Sequence, residues 1–182
     1  MMERKVVVAA DRSNRVVNDL EISQSKFELF VKNEADTAQL AALFSTFLKT
    51  GDVIFLDGVL ASGKTFFVRK VVESLGTEDE ISSPTYAIAN FYSCTLNDVL
   101  HVDAYRLKDG QDFHNLGLEA EVEGSISLIE WGSRVKDAFD DFLKVVIKLV
   151  PKKLNEREII ITAHGTRAAD LLNHLKMQYK TE

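Results

Sequence analysis

The sequence predicts an α/β fold: a mostly parallel sheet with an antiparallel part and helices on both faces. Three short apolar runs, at 53–57, 98–105 and 125–131, are typical of strands that are buried on both sides. Segments with apolar residues at helical spacing alternate with strands, as they do in parallel α/β sheets. Two further strand-like segments, 144–150 and 157–163, are joined by a turn and indicate the antiparallel part.

The chain before the first apolar run divides into a leader, a strand and a helix. Residues 1–25 are expected to form an N-terminal leader or an extra strand, KVVVAA at 5–10, and the main domain is expected to span 26–182. KFELFV at 26–31 alternates polar and apolar residues, which predicts a strand. A helix is expected from Asp36 onward, because apolar residues then recur on one helical face: Leu40, Leu43, Phe44, Phe47 and Leu48.

The remaining elements follow from the same two periodicities. Residues 64–75 carry another helical stripe, and Gly76 stands where a C-terminal cap belongs. Residues 86–93 are rich in strand formers, whereas 109–124 is polar and predicts a loop with one short helix. A closing helix is marked by four apolar residues at helical spacing: Ala168, Leu171, Leu172 and Leu175.

The composition restricts the classes of function. A formal charge of −6 argues against a protein whose main task is to grip nucleic acid by itself. The single cysteine, Cys94, excludes a disulfide within the chain and fits a cytoplasmic location. Because no apolar run reaches the ~18 residues that span a bilayer, we expect no membrane contact.

The strongest functional signal is GVLASGKT at 58–65, which satisfies the pattern G-x-x-x-x-G-K-[ST] between a predicted strand and a predicted helix. Glycines let the backbone curl so that successive N–H groups point at phosphate oxygens, and the helix N-terminus adds positive charge. Lys64 would place an ammonium on the phosphates, and the Thr65 hydroxyl could ligate Mg²⁺. The predicted phosphate-binding residues are Gly58, Val59, Leu60, Ala61, Ser62, Gly63, Lys64 and Thr65.

Two acidic residues end neighbouring predicted strands, where the chemistry of a magnesium-bound nucleotide needs a carboxylate. Asp103 ends VLHVD, and Glu130 ends SLIE. Either carboxylate could hold Mg²⁺, directly or through water, or could orient an attacking water. Which of them is the direct ligand stays open, and Trp131 after Glu130 is expected to pack in the core.

SSPTY at 82–86 lies between the loop's helix and the next strand. Pro84 stiffens this segment and restricts Ser83. The Thr85 hydroxyl could sense the γ-phosphate, as residues of switch loops do. A simple turn before a strand explains the segment equally well.

These motifs together resemble those of the TsaE family, also called YjeE. GVLASGKT, SSPTY, HVDAYRL and LIEW occur in the family's order and approximate spacing, over about residues 26–163. The combination of SPTY, DAYRL and EW is far more specific than the phosphate loop alone. Members are small bacterial P-loop ATPases for the threonylcarbamoyladenosine modification of tRNA. The resemblance therefore implies a P-loop NTPase-like fold and an ATP-hydrolysing accessory protein of the modifying complex.

The resemblance also implies ligands, partners and residue roles. ATP and Mg²⁺ are the implied cofactors, with Thr65 on the metal and Glu130 as a magnesium ligand or catalytic carboxylate. TsaD-like and TsaB-like proteins are the implied partners, and we expect the TsaD-like protein to do most of the gripping of tRNA. The implied catalytic group comprises Lys64, Thr85, Asp103 and Glu130, and the nucleotide would be bordered by Asn33, Glu34 and Arg157.

The phosphate loop departs from the family's usual G-D-L-G-A-G-K-T at two positions. Val59 replaces the acid, and Ala61 replaces a glycine. If position 61 needs a positive φ, the alanine costs on the order of 1 kcal/mol. The family's E-W-P also reads E-W-G here, with Gly132 in place of proline.

Three other functions compete with this interpretation. A regulatory GTPase would need a guanine-reading N-K-x-D motif, which the sequence lacks. A small-molecule kinase of P-loop type would usually need a lid with arginines, but 106–124 contains only Arg106. A nucleotide-dependent interaction module with little turnover is favoured by Ala61 and disfavoured by the retained lysine, threonine and carboxylates.

Overall fold

The computed structural model describes residues 26–179, so the predicted leader and the strand at 5–10 lie outside the described residues. One seven-stranded sheet organises this part of the chain. The strands are β1 (Lys26–Val31), β2 (Val53–Asp57), β3 (Ala89–Tyr92), β4 (Val99–Asp103), β5 (Ile126–Glu130), β6 (Phe142–Leu149) and β7 (Arg157–His164). The helices are α1 (Glu34–Ser45), α2 (Lys64–Leu75), α3 (Gly110–His114), α4 (Glu119–Gly124) and α5 (Thr166–Gln178), with 3₁₀ segments at Ala104–Arg106 and Gly132–Ala138.

The strands lie in the order β1-β7-β6-β2-β5-β4-β3. The central strands β6, β2, β5 and β4 pair in parallel, whereas the outer pairs β1–β7, β7–β6 and β3–β4 are antiparallel. Every residue of β4 and β5 is buried, as their continuous apolar sequence predicts. The predicted mostly parallel sheet with an antiparallel part is confirmed, with its parallel pairs in the centre.

The two faces of the sheet carry separate hydrophobic cores, because side chains alternate along each strand. Ile54 and Leu56 of β2 pack with residues of α1, α2 and α5. Val53 and Phe55 of the same strand pack with residues of α3, α4 and the 3₁₀ segment after β5. The prediction of helices on both faces is therefore confirmed, and none of the helices within 26–179 is long and apolar enough to cross a membrane.

Three local predictions differ from the structure. The strand expected over 86–93 is only Ala89–Tyr92, because Ile88 donates its N–H to the Pro84 carbonyl at 2.6 Å and closes a turn first. The segment 109–124 forms two short helices, α3 and α4, rather than one. Helix α1 begins at Glu34, since Asn33 caps it by accepting a hydrogen bond from the Asp36 N–H at 2.9 Å.

Gly132, which stands where the motif of the resembled family has proline, lies directly against a buried ring. A Cβ at this position would lie 2.4 Å from Cγ of Phe55, which has no solvent exposure. Phe55 cannot easily move aside, because its ring stacks on Phe142 with centroids 4.2 Å apart. The glycine therefore makes room for the aromatic residue in the middle of β2.

We predict that Gly132→Ala lowers the free energy of unfolding by about 1–3 kcal/mol, the usual cost of overpacking a core. Gly124→Ala is the matched control, because a Cβ there meets no atom within 4 Å. Urea unfolding of both variants measures the difference. Adding Phe55→Leu should recover part of the loss, and equal stability of the two alanine variants would contradict the prediction.

Candidate functional site

The loop between β2 and α2 is held in a tight, partly strained conformation. Gly58 has a φ of +147°, and a Cβ there would lie 2.3 Å from the Ile147 carbonyl oxygen. Gly63 has a φ of +112° immediately before α2 begins at Lys64. Ala61 has a φ of +60°, so position 61 does need a positive φ, and the alanine side chain there costs on the order of 1 kcal/mol.

Several backbone N–H groups of this loop point to no acceptor in the part of the chain that the structure describes. The N–H groups of Ala61, Gly63 and Lys64 have no partner there, while Ser62 donates back to the Val59 carbonyl at 3.1 Å. Unpaired N–H groups at the start of a helix are what an anion binds. The loop therefore has the geometry to accept a phosphate group, and phosphate binding stays a prediction.

Lys64 lies inside the loop rather than in solvent. Its side chain is 5% exposed, and Nζ donates to the carbonyls of Gly58 at 3.1 Å and Val59 at 3.2 Å. Burial lowers the pKa of Lys64, and the nearby carboxylates, Glu130 first, oppose that shift. The ammonium is thus held by weak carbonyl contacts that an anionic ligand could replace.

The two strand-end carboxylates lie side by side, because Asp103 and Glu130 are register partners in the parallel pair β4–β5. Glu130 Oε1 accepts a hydrogen bond from the Thr65 hydroxyl at 2.7 Å. Asp103 accepts from the Thr85 hydroxyl at 3.0 Å and from the Tyr105 N–H at 3.0 Å. The carboxylates therefore have different partners: Glu130 contacts the phosphate loop, and Asp103 contacts the SSPTY segment.

A single cavity of about 260 Å³ connects these groups. Most of the predicted catalytic and loop side chains line it, together with Phe66, Ser83 and Trp131. The predicted site residues that it brings together are Leu60, Ala61, Gly63, Lys64, Thr65, Thr85, Asp103 and Glu130.

The predicted border residues behave differently. Arg157 donates from Nε to the Ser62 carbonyl at 2.9 Å, so it contacts the phosphate loop directly. Glu34 is exposed at the first turn of α1 and makes no hydrogen bond or ion pair with the loop among residues 26–179. The expectation that Glu34 borders the nucleotide stays a prediction.

Two residues that the sequence analysis left out of the site contact it. The His101 side chain is fully buried, with Nε2 3.0 Å from Glu130 Oε1. Its position two residues before Asp103, on the same strand face, is the signal that could have identified it. Trp131 packs, as expected, on the hydrophobic core that contains Val53 and Phe55. Its ring also lies 4.0 Å from the Lys64 ammonium.

The donor set suits magnesium held at a phosphate better than a metal held by protein alone. No group of three or more His, Cys, Asp or Glu side chains within 26–179 could hold an ion. Mg²⁺ usually takes one or two protein ligands and completes its shell with phosphate oxygens and water. The adjacent Thr65 hydroxyl and Glu130 carboxylate fit that requirement.

The sequence and the fold were compared with known proteins. A family model described as "Threonylcarbamoyl adenosine biosynthesis protein TsaE" matches residues 31–159. The tRNA threonylcarbamoyladenosine biosynthesis protein TsaE of Bacillus subtilis is 34% identical over 145 residues, which cover 79% of this chain and 89% of that protein. The protein of the same name from Treponema pallidum is 35% identical over 131 residues, which cover 71% of this chain and 96% of that protein.

Two further comparisons define the extent of the likeness. The TsaE protein of Rickettsia felis is 37% identical over 109 residues, and the match spans 59% of this chain but only 64% of that relative's length. The crystal structure of Bacillus subtilis YdiB superposes with a TM-score of 0.72 at 29% identity, covering 85% of this chain and 96% of that chain. The chain has the P-loop NTPase-like fold of these relatives and belongs to the TsaE family.

Proposed function

We propose that this protein binds ATP with Mg²⁺ and hydrolyses it as an accessory protein in the synthesis of N6-threonylcarbamoyladenosine in tRNA. The proposed biological process, threonylcarbamoyladenosine biosynthesis, is the one that the names of its relatives state. The observation that carries the chemistry is the contact between the Thr65 hydroxyl and Glu130, at 2.7 Å, beside the unpaired N–H groups of the loop.

Nucleotide binding rests on the loop. Its free N–H groups and the N-terminus of α2 would take the phosphate oxygens, and Lys64 would exchange its carbonyl contacts for a phosphate. The Thr65 hydroxyl and the Glu130 carboxylate would hold Mg²⁺, which neutralises charge on the phosphates when it is bound. Ser62 is held by Arg157, which keeps the outer side of the loop in place.

Hydrolysis would then use the other carboxylate. Asp103 is buried, and hydrogen bonds from Thr85 and the Tyr105 N–H fix its orientation. A carboxylate fixed in this way can orient a water molecule and accept its proton. The hydrogen bond between Thr85 and Asp103 would also link this water to the position of the SSPTY segment.

The partners are proposed from the family. TsaD-like and TsaB-like proteins would form the complex, and ATP hydrolysis would reset it after each cycle. The formal charge of −6 supports an indirect contact with tRNA, because a protein that neutralises many phosphates is usually basic. An assay with and without these partners separates the alternatives: a kinase would phosphorylate an acceptor, and an interaction module would bind ATP without turnover.

We predict that Lys64→Ala weakens ATP binding and removes hydrolysis while the fold survives, because within residues 26–179 the ammonium donates hydrogen bonds only to two loop carbonyls and lies over the Trp131 ring. Lys70→Ala is the matched control, since Lys70 lies on the same helix and pairs with Glu73 at the surface. Titration with a fluorescent ATP analogue and a phosphate-release assay provide the two readouts. Normal turnover by a well-folded Lys64→Ala protein would refute the phosphate-loop assignment.

We predict that Glu130→Gln and Asp103→Asn each lower turnover by at least ~10²-fold, the low end of what a positioned acid–base group contributes. ATP affinity should change much less, because it rests on the loop and Lys64. The measurement is single-turnover hydrolysis in saturating Mg²⁺ with the partner proteins, beside equilibrium ATP binding. Glu123→Gln on the exposed surface of α4 is the control, and a parental rate in either site variant removes that residue from the mechanism.

A further inference from the structure

We infer that His101 is a positioning residue that holds the Glu130 carboxylate in place for the metal; the inference rests on the proposed function. His101 lies on β4 and has no solvent exposure, and its Nε2 is 3.0 Å from Glu130 Oε1. The same oxygen accepts the Thr65 hydroxyl at 2.7 Å. Glu130 is therefore fixed from two sides, by the start of α2 and by the neighbouring strand.

The hydrogen bond determines which ring nitrogen of His101 carries a proton. An ionised carboxylate only accepts hydrogen bonds, so Nε2 must be the donor. Nδ1 is buried and has no hydrogen-bond partner within residues 26–179. The hydrogen bond to Glu130 is thus the only one that this imidazole makes within residues 26–179.

The unpartnered nitrogen argues against a role in packing alone. A buried polar atom without a hydrogen-bond partner lowers stability, a cost that a leucine or phenylalanine in the same core would avoid. The Tyr92 ring, whose centroid lies 6.3 Å from that of His101, supplies no hydrogen bond to it. The bond to Glu130 is what distinguishes histidine from an apolar residue at this position.

The arrangement leaves the second oxygen of Glu130 available. Oε2 has no hydrogen bond within the described part of the chain, whereas Oε1 has two neighbours, Thr65 and His101. If the Thr65 hydroxyl turns to a metal ion, His101 remains the only one of these two donors that holds the carboxylate. Outer-shell partners of this kind change metal affinity or activity by 10–100-fold when they are removed.

Three variants test the inference. His101→Leu removes the donor and keeps an apolar side chain, while His101→Gln keeps an N–H donor on a side chain of similar reach. Val99→Ala is the control for lost packing, because Val99 is fully buried on the same strand face and has no polar side-chain atom. Each variant is compared with the parent in Mg²⁺ dependence of ATP turnover, with partner proteins, and in ADP binding without Mg²⁺.

We expect His101→Leu to raise the Mg²⁺ concentration for half-maximal turnover by about 10-fold or more, with unchanged Mg²⁺-free ADP binding. His101→Gln should keep a Mg²⁺ dependence close to that of the parent. Val99→Ala should lower the stability of the protein without changing the Mg²⁺ concentration for half-maximal turnover. A nucleotide-free readout is the ¹⁵N NMR spectrum of the imidazoles. His101 should show a proton on Nε2, and Glu130→Gln should shift its signals.

The outcomes separate this inference from the proposed function. A parent that binds no ADP overturns the proposed function and the metal role together. If the parent hydrolyses ATP and the His101→Leu variant shows the same Mg²⁺ dependence as the parent, the inference alone is overturned. If His101→Leu does not fold, two other results overturn the inference. One is a His101→Gln variant that loses the parental Mg²⁺ dependence, and the other is a parent in which Nε2 of His101 carries no proton.

Discussion

The parallel alignment of β2, β5 and β4 is the constraint on which the candidate site depends. Parallel strands present their carboxyl ends at one edge of the sheet. Here the register pairs Leu56 with Glu130 and Glu130 with Asp103, so the phosphate loop and both carboxylates begin at the same level. A shift of one residue in either pairing would turn a carboxylate to the opposite face, away from Thr65 and Thr85.

The charges in the cavity stabilise one another only in part. Lys64, Asp103 and Glu130 are all buried, and burying an ion without a partner costs several kcal/mol. One ammonium faces two carboxylates, which leaves the described group with excess negative charge. A divalent cation would offset that excess together with the negative charge of bound phosphates, which gives a physical reason for the proposed dependence on Mg²⁺.

Backbone strain is concentrated around the same cavity. Among residues 26–179, four residues other than glycine have a positive φ. Ala61 and Trp131 line the cavity, and Ile88 accepts a hydrogen bond from the Asp103 N–H at 2.9 Å. Conformations of this kind cost of order 1–3 kcal/mol each and persist only where the surrounding structure holds them. The loop, the strand end after Glu130 and the turn before β3 are therefore fixed by tertiary packing.

The sequence by itself determined most of the elements and most of the residue types of the candidate site. The loop pattern, the buried runs and the strand-end acids are local features, so spacing alone predicted the phosphate loop, the central strands and both carboxylates. The tertiary structure decided which groups touch. Thr65 and Glu130 are 65 positions apart, and His101 meets Glu130 across 29 positions. Such contacts depend on strand order and register, which the periodicity of a single segment does not contain. The fit of Gly132 against Phe55 has the same origin, because it joins the end of one strand to the middle of its neighbour.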